Sequence, residues 1–108
     1  MSNKRMSQIE RKLVRIKEAL GQIGPMRPGS LTRQYRHPKE RTGAYWQISY
    51  TRQMKSHTEY VRPEWAPDIR RQIATYKRFT RLIEQWIDLS IEHSKLRMQI
   101  AKQQERPE

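Results

Sequence analysis

Apolar residues near the amino terminus recur at steps of four and three, as along one side of a helix. They are Ile9, Leu13, Ile16, Leu20 and Ile23. This spacing predicts an amphipathic helix over residues 7–23 with a coiled-coil-like seam. Ser7 and Glu10 have the spacing of a capping box, which predicts that the helix begins at Ser7. Gly21 and Gly24, followed by Pro25, predict its end.

The pattern changes to alternation in the middle of the chain. Residues 24–30, GPMRPGS, contain two prolines and two glycines and predict a turn. A first short strand is predicted over residues 31–36, followed by a polar basic loop over residues 37–43. Residues 44–52 and 55–62 then alternate as the two arms of a β-hairpin. Because the connecting RQMK lacks the Asn-Gly signature of a tight turn, we expect a loop of roughly four or five residues there.

The alternation divides the hairpin into two faces, of which one is predicted to pack inward. Large side chains on or near that face are more typical of a core than of a ligand platform. We expect this of Trp46, Ile48, Tyr50, Tyr60 and Trp65. Tyr45 lies on the opposite face of the first arm and is the ring expected to be exposed.

A single long helix is predicted after the second break, RPEWAPD. Pro67 and Asp68 suit its first turn, and nothing interrupts the pattern to about Gln104. Such a helix would be about 50 Å long at 1.5 Å per residue, too long for a small core to cover. The sequence therefore predicts an α+β fold in one domain, residues 1–108. A small antiparallel sheet, about 31–62, lies in sequence between two helices, and the helices pair.

Charge is the strongest departure from an average protein. The chain has 23 Lys and Arg against 11 Asp and Glu, a net charge of +12 in 108 residues. This exceeds what solubility requires and predicts a polyanionic partner, most commonly nucleic acid. The hydrophobic fraction of 34% indicates a thin core, which favours a homodimer. No apolar run is long enough for a membrane span, so we expect no membrane partner and a cytoplasmic location.

The candidate nucleic-acid contacts are cations on strand ends, loops and the basic start of the long helix, with one exposed ring and one histidine. Guanidinium groups there can bind phosphate, and a two-stranded ribbon fits the major groove. Gln34, Gln47, Gln53 and His57 can hydrogen-bond base edges, whereas Tyr45 can instead stack on an unpaired base. Double-stranded DNA is favoured over RNA. The candidate set is Arg33, Arg36, Lys39, Arg41, Tyr45, Arg52, Lys55, His57, Arg71, Lys77, Arg78 and Arg81.

The second half of the long helix has an acidic stripe. Glu84, Asp88 and Glu92 follow one another at four-residue spacing, with no Lys or Arg between residues 82 and 94. A solvated face is one interpretation, and pairing with Arg11 and Arg15 of the first helix is another. A third is an adaptor function, in which this face docks a protein partner. An RNA-binding protein is the remaining alternative.

Catalytic and metal-binding patterns are absent from the sequence. The three histidines lie on different predicted elements without ligand spacing, and there is no cysteine. No phosphate-cradling glycine loop and no nucleophile elbow occur. We therefore predict a protein that is not an enzyme, with no catalytic residue, no cofactor and no metal.

Three segments of residues 26–95 resemble a family of small basic bacterial proteins of unknown function. They are MRPGSLTRQY, TGAYWQISYTRQMKSHTEYVRPEW and IRRQIATYKRFTRLIEQW, and the similarity rests on Pro28, Gly29, Ser30, Leu31, Gly43, Tyr45, Tyr50, Lys55, Tyr60, Val61 and Tyr76. Members often carry a cysteine cluster between the first two strands, where this chain has RHPKERT. A metal or redox role is therefore not implied here. Because such genes often accompany mobile elements, the resemblance implies an accessory or regulatory role in DNA transactions.

Overall fold

A computed structural model describes residues 2–105 as two helices and three strands. In chain order they are helix α1 (Ser2–Gly21), strands β1 (Ser30–His37), β2 (Thr42–Arg52) and β3 (Lys55–Val61), a 3-10 turn (Pro63–Trp65) and helix α2 (Ala66–Gln104). This confirms the predicted α+β fold and its element order. None of the helices in this part of the chain has an apolar stretch of the length that a bilayer requires.

The chain forms two compact units, and α2 contributes to both of them. The sheet unit contains residues 24–78. The helical unit contains the amino-terminal residues up to Ile23 and the residues from Phe79 onward. The sheet unit carries most of the charge excess, because twelve basic residues there face only four acidic ones.

The sheet unit is an antiparallel sheet in the order β1-β2-β3, with the first part of α2 on one face. Its core cluster contains Ile48, Val61, Ile69 and Ile73, with Trp46 and Leu31 packed against it. Ile48 is completely buried at the centre of β2. Burial of one such side chain stabilises the fold by about 1.5–3 kcal/mol. Alternation therefore places the core face of β2 where the sequence predicted it.

Two of the predicted core rings are on the surface instead. Tyr60 is 62% exposed and Trp65 is 59% exposed. The register of β3 explains the first error, because Val61 lies opposite Trp46 and takes the inward position. Tyr60 is then opposite Gln47 and faces the other way, since neighbouring residues in a strand alternate. Trp65 belongs to the 3-10 turn, outside the alternation of the sheet.

The turn between β2 and β3 is shorter than the sequence predicted. Arg52 pairs directly with Lys55, so only Gln53 and Met54 form the loop. Both have positive φ angles, 53° and 65°, as a type I′ turn requires. The expected loop of four or five residues is wrong because strand pairing on both sides imposes the tight turn. The sequence supplies neither of the residues, Asn and Gly, that prefer this backbone.

The helical unit consists of α1 packed antiparallel on the second part of α2. Ile9 and Ile16 of α1 are buried. Six of the half-buried residues of α2 recur at steps of four and three, which confirms the predicted helix pairing. They are Leu82, Trp86, Leu89, His93, Leu96 and Ile100.

Helix α1 begins earlier than the capping box predicted. It starts at Ser2, so that Ser7 and Glu10 lie inside the helix and cap nothing. Lys4, Arg5 and Met6 are good helix formers, so no signal stops the helix at Ser7. The additional helical turn joins the two helices, because Arg5 binds a carboxylate of α2.

That contact gives Glu92 of the acidic stripe a partner on α1. Arg5 Nε and Nη2 donate to the two carboxylate oxygens of Glu92, at 2.6 and 2.7 Å. The guanidinium lowers the pKa of Glu92. The sequence had suggested Arg11 and Arg15 as partners of the stripe, and neither forms a salt bridge in the described chain.

Candidate nucleic-acid interface

The face of the sheet opposite α2, called the open face here, has no buried side chain. Side chains directly opposite each other in paired strands share a face, so the register defines its members. They are Ser30, Thr32, Gln34, Arg36, Tyr45, Gln47, Ser49, Thr51, Ser56, Thr58 and Tyr60. None is acidic and none is aliphatic. A sheet face that packs on another layer would be apolar, so this composition is typical of a face that meets water or a polar ligand.

The aromatic and cationic groups of the open face lie close together. The guanidinium carbon of Arg36 is 5.9 Å from the ring centroid of Tyr45. Tyr45 and Tyr60 are diagonal neighbours, because Tyr60 pairs with Gln47, two residues beyond Tyr45. Such positions are roughly 7–8 Å apart, within reach of aromatic side chains. Tyr45, which was expected to be exposed, is half-buried, and the exposed Tyr60 adds a second ring that the sequence had assigned to the core.

The turn between β1 and β2 places two more cations at one end of the sheet. Lys39 and Arg41 lie in this four-residue turn, which is closed by a bond from Arg41 N–H to the Pro38 carbonyl at 3.3 Å. Gly43 follows with a φ of 69°. A Cβ atom on Gly43 would lie 3.0 Å from the Arg36 Cβ, so the bare backbone leaves room for Arg36. Arg36, Lys39, Arg41 and Tyr45 of the candidate set thus lie at one end of the sheet.

The opposite end of the sheet carries Arg52 and Lys55 on either side of the two-residue turn. By the same alternation their side chains share the α2 side with Tyr50 and His57, and Arg52 lines a groove there with Gln72 and Tyr76 of α2. The two residues are directly paired, so like charges oppose each other. This arrangement is unfavourable in a sheet unless an anion lies between them. Neither side chain forms a salt bridge with any residue of the described chain. The strand β2 separates this end from the Arg41 end by about 33 Å at 3.3 Å per residue.

His57 belongs to a different surface from Tyr45. It stacks on Tyr50 on the α2 side of the sheet, with ring centroids 5.0 Å apart. Tyr50 in turn donates a hydrogen bond to Glu59 at 3.1 Å, and Arg27 binds the other oxygen of that carboxylate at 2.9 Å. The structure therefore places His57 in a network that holds residues 24–30 to the sheet. The sequence gave no indication of the contact between Arg27 and Glu59, which are 32 residues apart.

Glu59→Gln is expected to flatten the dependence of stability on acid pH. The bond from Arg27, followed by the bond from Tyr50, lowers the pKa of Glu59 below its ordinary value of 4.5. Its stabilisation is therefore present above pH 4.5 and is lost as pH falls through the lowered native pKa. Thermal unfolding between pH 7 and pH 3 should show a smaller fall in Tm for the variant. Glu40→Gln, in the exposed β1–β2 turn, should behave as the wild type, and identical profiles for all three proteins would contradict this role of Glu59.

The remaining candidates lie on α2 or face it. Arg33 lies over Tyr35 at 5.9 Å, on the α2 side of the edge strand. Arg70, which is outside the candidate set, lies over Trp46 at 4.7 Å. Lys77 lines a groove of about 360 Å³ with Arg70 and with Ser30 and Leu31 of β1. These cations form a second basic surface beside α2.

The last three candidate cations do not meet the open face. Arg71 forms a salt bridge with Asp68 at 3.3 Å along the helix surface. Arg78 is exposed, two turns further along. At 100° per residue, both lie away from Ile69 and Ile73, which pack against the sheet. Arg81 belongs to the helical unit.

No group of three or more metal-ligating side chains occurs among residues 2–105. Comparisons of the chain with protein-family models, with curated proteins and with solved structures find no match.

Proposed function

We propose that this protein binds double-stranded DNA through the open face of its sheet. The observation that carries the proposal is an uncovered sheet face without a single acidic side chain, which carries Arg36 and is continued at one end by Lys39 and Arg41 of the β1–β2 turn. Arg52 and Lys55 add exposed charge at the tip of the β2–β3 hairpin, on the α2 side. Duplex DNA is a polyanion whose phosphate contacts provide most of the binding energy, so such a surface suits it. An accessory or regulatory role in a mobile element rests on the sequence resemblance alone.

The dimensions of the sheet support a duplex as the ligand. Three strands spaced about 4.8 Å apart make a surface about 10 Å across between the outer strand axes. The major groove of B-form DNA is about 12 Å wide and accepts β-structure. In this arrangement α2 stays on the outer side of the sheet, and the open face lies against the base edges.

Five exposed cations lie at the two ends of the sheet, where they can bind phosphates at two points along the groove. They are Arg36, Lys39, Arg41, Arg52 and Lys55, and none has a salt-bridge partner in residues 2–105. Their charges are therefore not neutralised within the chain. Phosphate contacts of this kind fix position and orientation on the duplex without reading sequence.

The centre of the open face supplies groups that can contact bases. The amides of Gln34 and Gln47 each carry a donor and an acceptor, the combination that binds adenine in the major groove. Gln34 donates to the Thr32 hydroxyl at 3.1 Å, which orients its amide across the face. Few such groups are present, so we expect binding that tolerates many sequences.

Arg36→Glu is expected to weaken duplex binding about tenfold, because it removes one charged contact on the open face and adds repulsion. Fluorescence anisotropy with a labelled duplex of about 20 base pairs measures the change. Arg78→Glu makes the same change in net charge on the outer surface of α2 and should have an effect of threefold or less by comparison. If Arg78→Glu had the larger effect, the DNA would lie on α2 instead of the sheet. Tighter binding of the separate single strands than of the duplex would favour base stacking on Tyr45 and Tyr60.

A further inference from the structure

Helix α2 has a second apolar stripe in the helical unit, distinct from the seam that faces α1. It contains Ile83, Ile87, Ile91 and Met98. Ile87 is 45% exposed, Ile91 is 50% exposed and Met98 is 63% exposed. At 100° per residue the stripe is centred roughly 160° from the seam that packs on α1. The two isoleucines are one helical turn apart and present a contiguous apolar surface, which in a protein usually marks an interaction site.

The charges beside this stripe are sorted along the helix. Glu84 and Asp88 lie at its beginning, whereas Lys95, Arg97 and Lys102 lie towards its end. None of the five forms a salt bridge within residues 2–105. A helix with the same sequence that ran in the opposite direction would bring cations beside acids. A helix that ran in the same direction would bring acids beside acids.

We propose that a second copy of this chain binds the exposed stripe, with the two α2 helices antiparallel about a two-fold axis near Leu89. A two-fold axis is the commonest symmetry of protein dimers and uses the same surface on both copies. With the axis there, Ile87 of one copy lies beside Ile91 of the other. Glu84 of one copy then lies within about one residue of Lys95 of the other.

The helices of both copies then form an assembly in which each α2 lies between its own α1 and the other α2. Antiparallel helices with apolar residues at steps of three and four pack stably in this way. The partner helix covers the exposed isoleucines, and Glu84, which forms no salt bridge within residues 2–105, gains Lys95 of the other copy. This dimer does not depend on DNA binding, and it is tested without DNA.

Ile87→Glu with Ile91→Glu is expected to weaken the dimer at least about 100-fold, because both central contacts are replaced by charge. Sedimentation velocity should show a wild-type dimer and a monomeric variant at micromolar concentration. Both positions are exposed in the single chain, so circular dichroism should show unchanged helix content. Val14→Glu replaces an apolar residue of α1 that is 55% exposed and should leave the dimer intact.

A charge exchange tests the antiparallel direction separately. Glu84→Lys and Lys95→Glu should each weaken the dimer about fivefold, because the pair occurs twice in a two-fold assembly. The double variant should restore the wild-type affinity to within about twofold. Residues 84 and 95 are about 16 Å apart along one helix, so restoration requires contact between two chains.

Two results would overturn the proposal. One is a wild-type protein that stays monomeric at about 100 µM, where even a weak specific dimer is substantially populated. The other is a dimer that persists in Ile87→Glu with Ile91→Glu but dissociates in Val14→Glu, which would place the interface on α1. Loss of DNA binding in any of these variants, with the oligomeric state unchanged, would concern the proposed function and leave the dimer standing.

Discussion

Gly29→Ala is expected to lower the free energy of unfolding by about 2–4 kcal/mol. A Cβ atom at this position would lie 2.8 Å from Cγ1 and 2.9 Å from Cδ1 of Ile48, and 3.1 Å from the Ser49 carbonyl oxygen. Ile48 is fully buried in the core cluster of the sheet. The φ of Gly29 is 140°, a backbone angle that residues other than glycine rarely adopt. Overpacking and backbone strain each cost about 1–3 kcal/mol, and the two costs combine here.

Chemical denaturation in urea measures this change, with the wild type as reference. Gly24→Ala is the matched control, since a Cβ there would have no neighbour within 4 Å. Its free energy of unfolding should stay within about 0.5 kcal/mol of the wild type. Equal destabilisation by the two substitutions would contradict this explanation. It would show that the cost comes from the change in backbone flexibility and does not depend on close packing against Ile48.

Arg52→Glu with Lys55→Glu is expected to reduce affinity for duplex DNA about 100-fold, or about tenfold for each lost charged contact. The two side chains are directly opposed in the β2–β3 pair and have no carboxylate partner in residues 2–105. Phosphate would relieve their mutual repulsion, so they should contribute strongly when DNA is bound. Fluorescence anisotropy at constant salt measures the change.

The matched control for that variant changes the same number of charges elsewhere. Arg11 and Lys17 are exposed on α1 and form no salt bridge in the described chain. Arg11→Glu with Lys17→Glu should therefore reduce affinity only through net charge, by about threefold or less at moderate salt. Similar losses in both double variants would indicate attraction by overall charge without a binding surface on the sheet.

The sequence predicted the elements of this fold well because its periodicities are clear. Alternation in residues 44–52 placed Ile48 in the core, and the four-and-three spacing of α1 predicted its buried Ile9 and Ile16. Both patterns are local, so neither needs knowledge of the partner element.

Register and distant contacts could not be predicted in the same way. The placement of Tyr60 depends on pairing between Val61 and Trp46, and a shift of one residue would have exchanged the two faces. The contact of Arg27 with Glu59 and that of Arg5 with Glu92 join residues 32 and 87 positions apart. Local periodicity contains no information about such contacts. These contacts place His57 outside the candidate interface and give Glu92 a salt-bridge partner.

The surface on which each side chain lies affects the choice of candidate binding residues more than the fold itself does. From the sequence, the hairpin and the long helix offered one combined set of cations. The structure separates that set into the open face, the two ends of the sheet, and the surfaces beside and behind α2. The open face gains Tyr60, and Arg71 and Arg78 lie on the far side of α2 from it.

The most direct test of DNA binding by the sheet is the dependence of duplex affinity on salt. Each phosphate neutralised changes the slope of log K against log salt by about −0.9, so five cations predict a wild-type slope of about −4 to −5. Arg52→Glu with Lys55→Glu should reduce the slope to between about −2 and −3. No binding by the wild type at the lowest salt, or an affinity that does not fall as salt rises, would contradict the account.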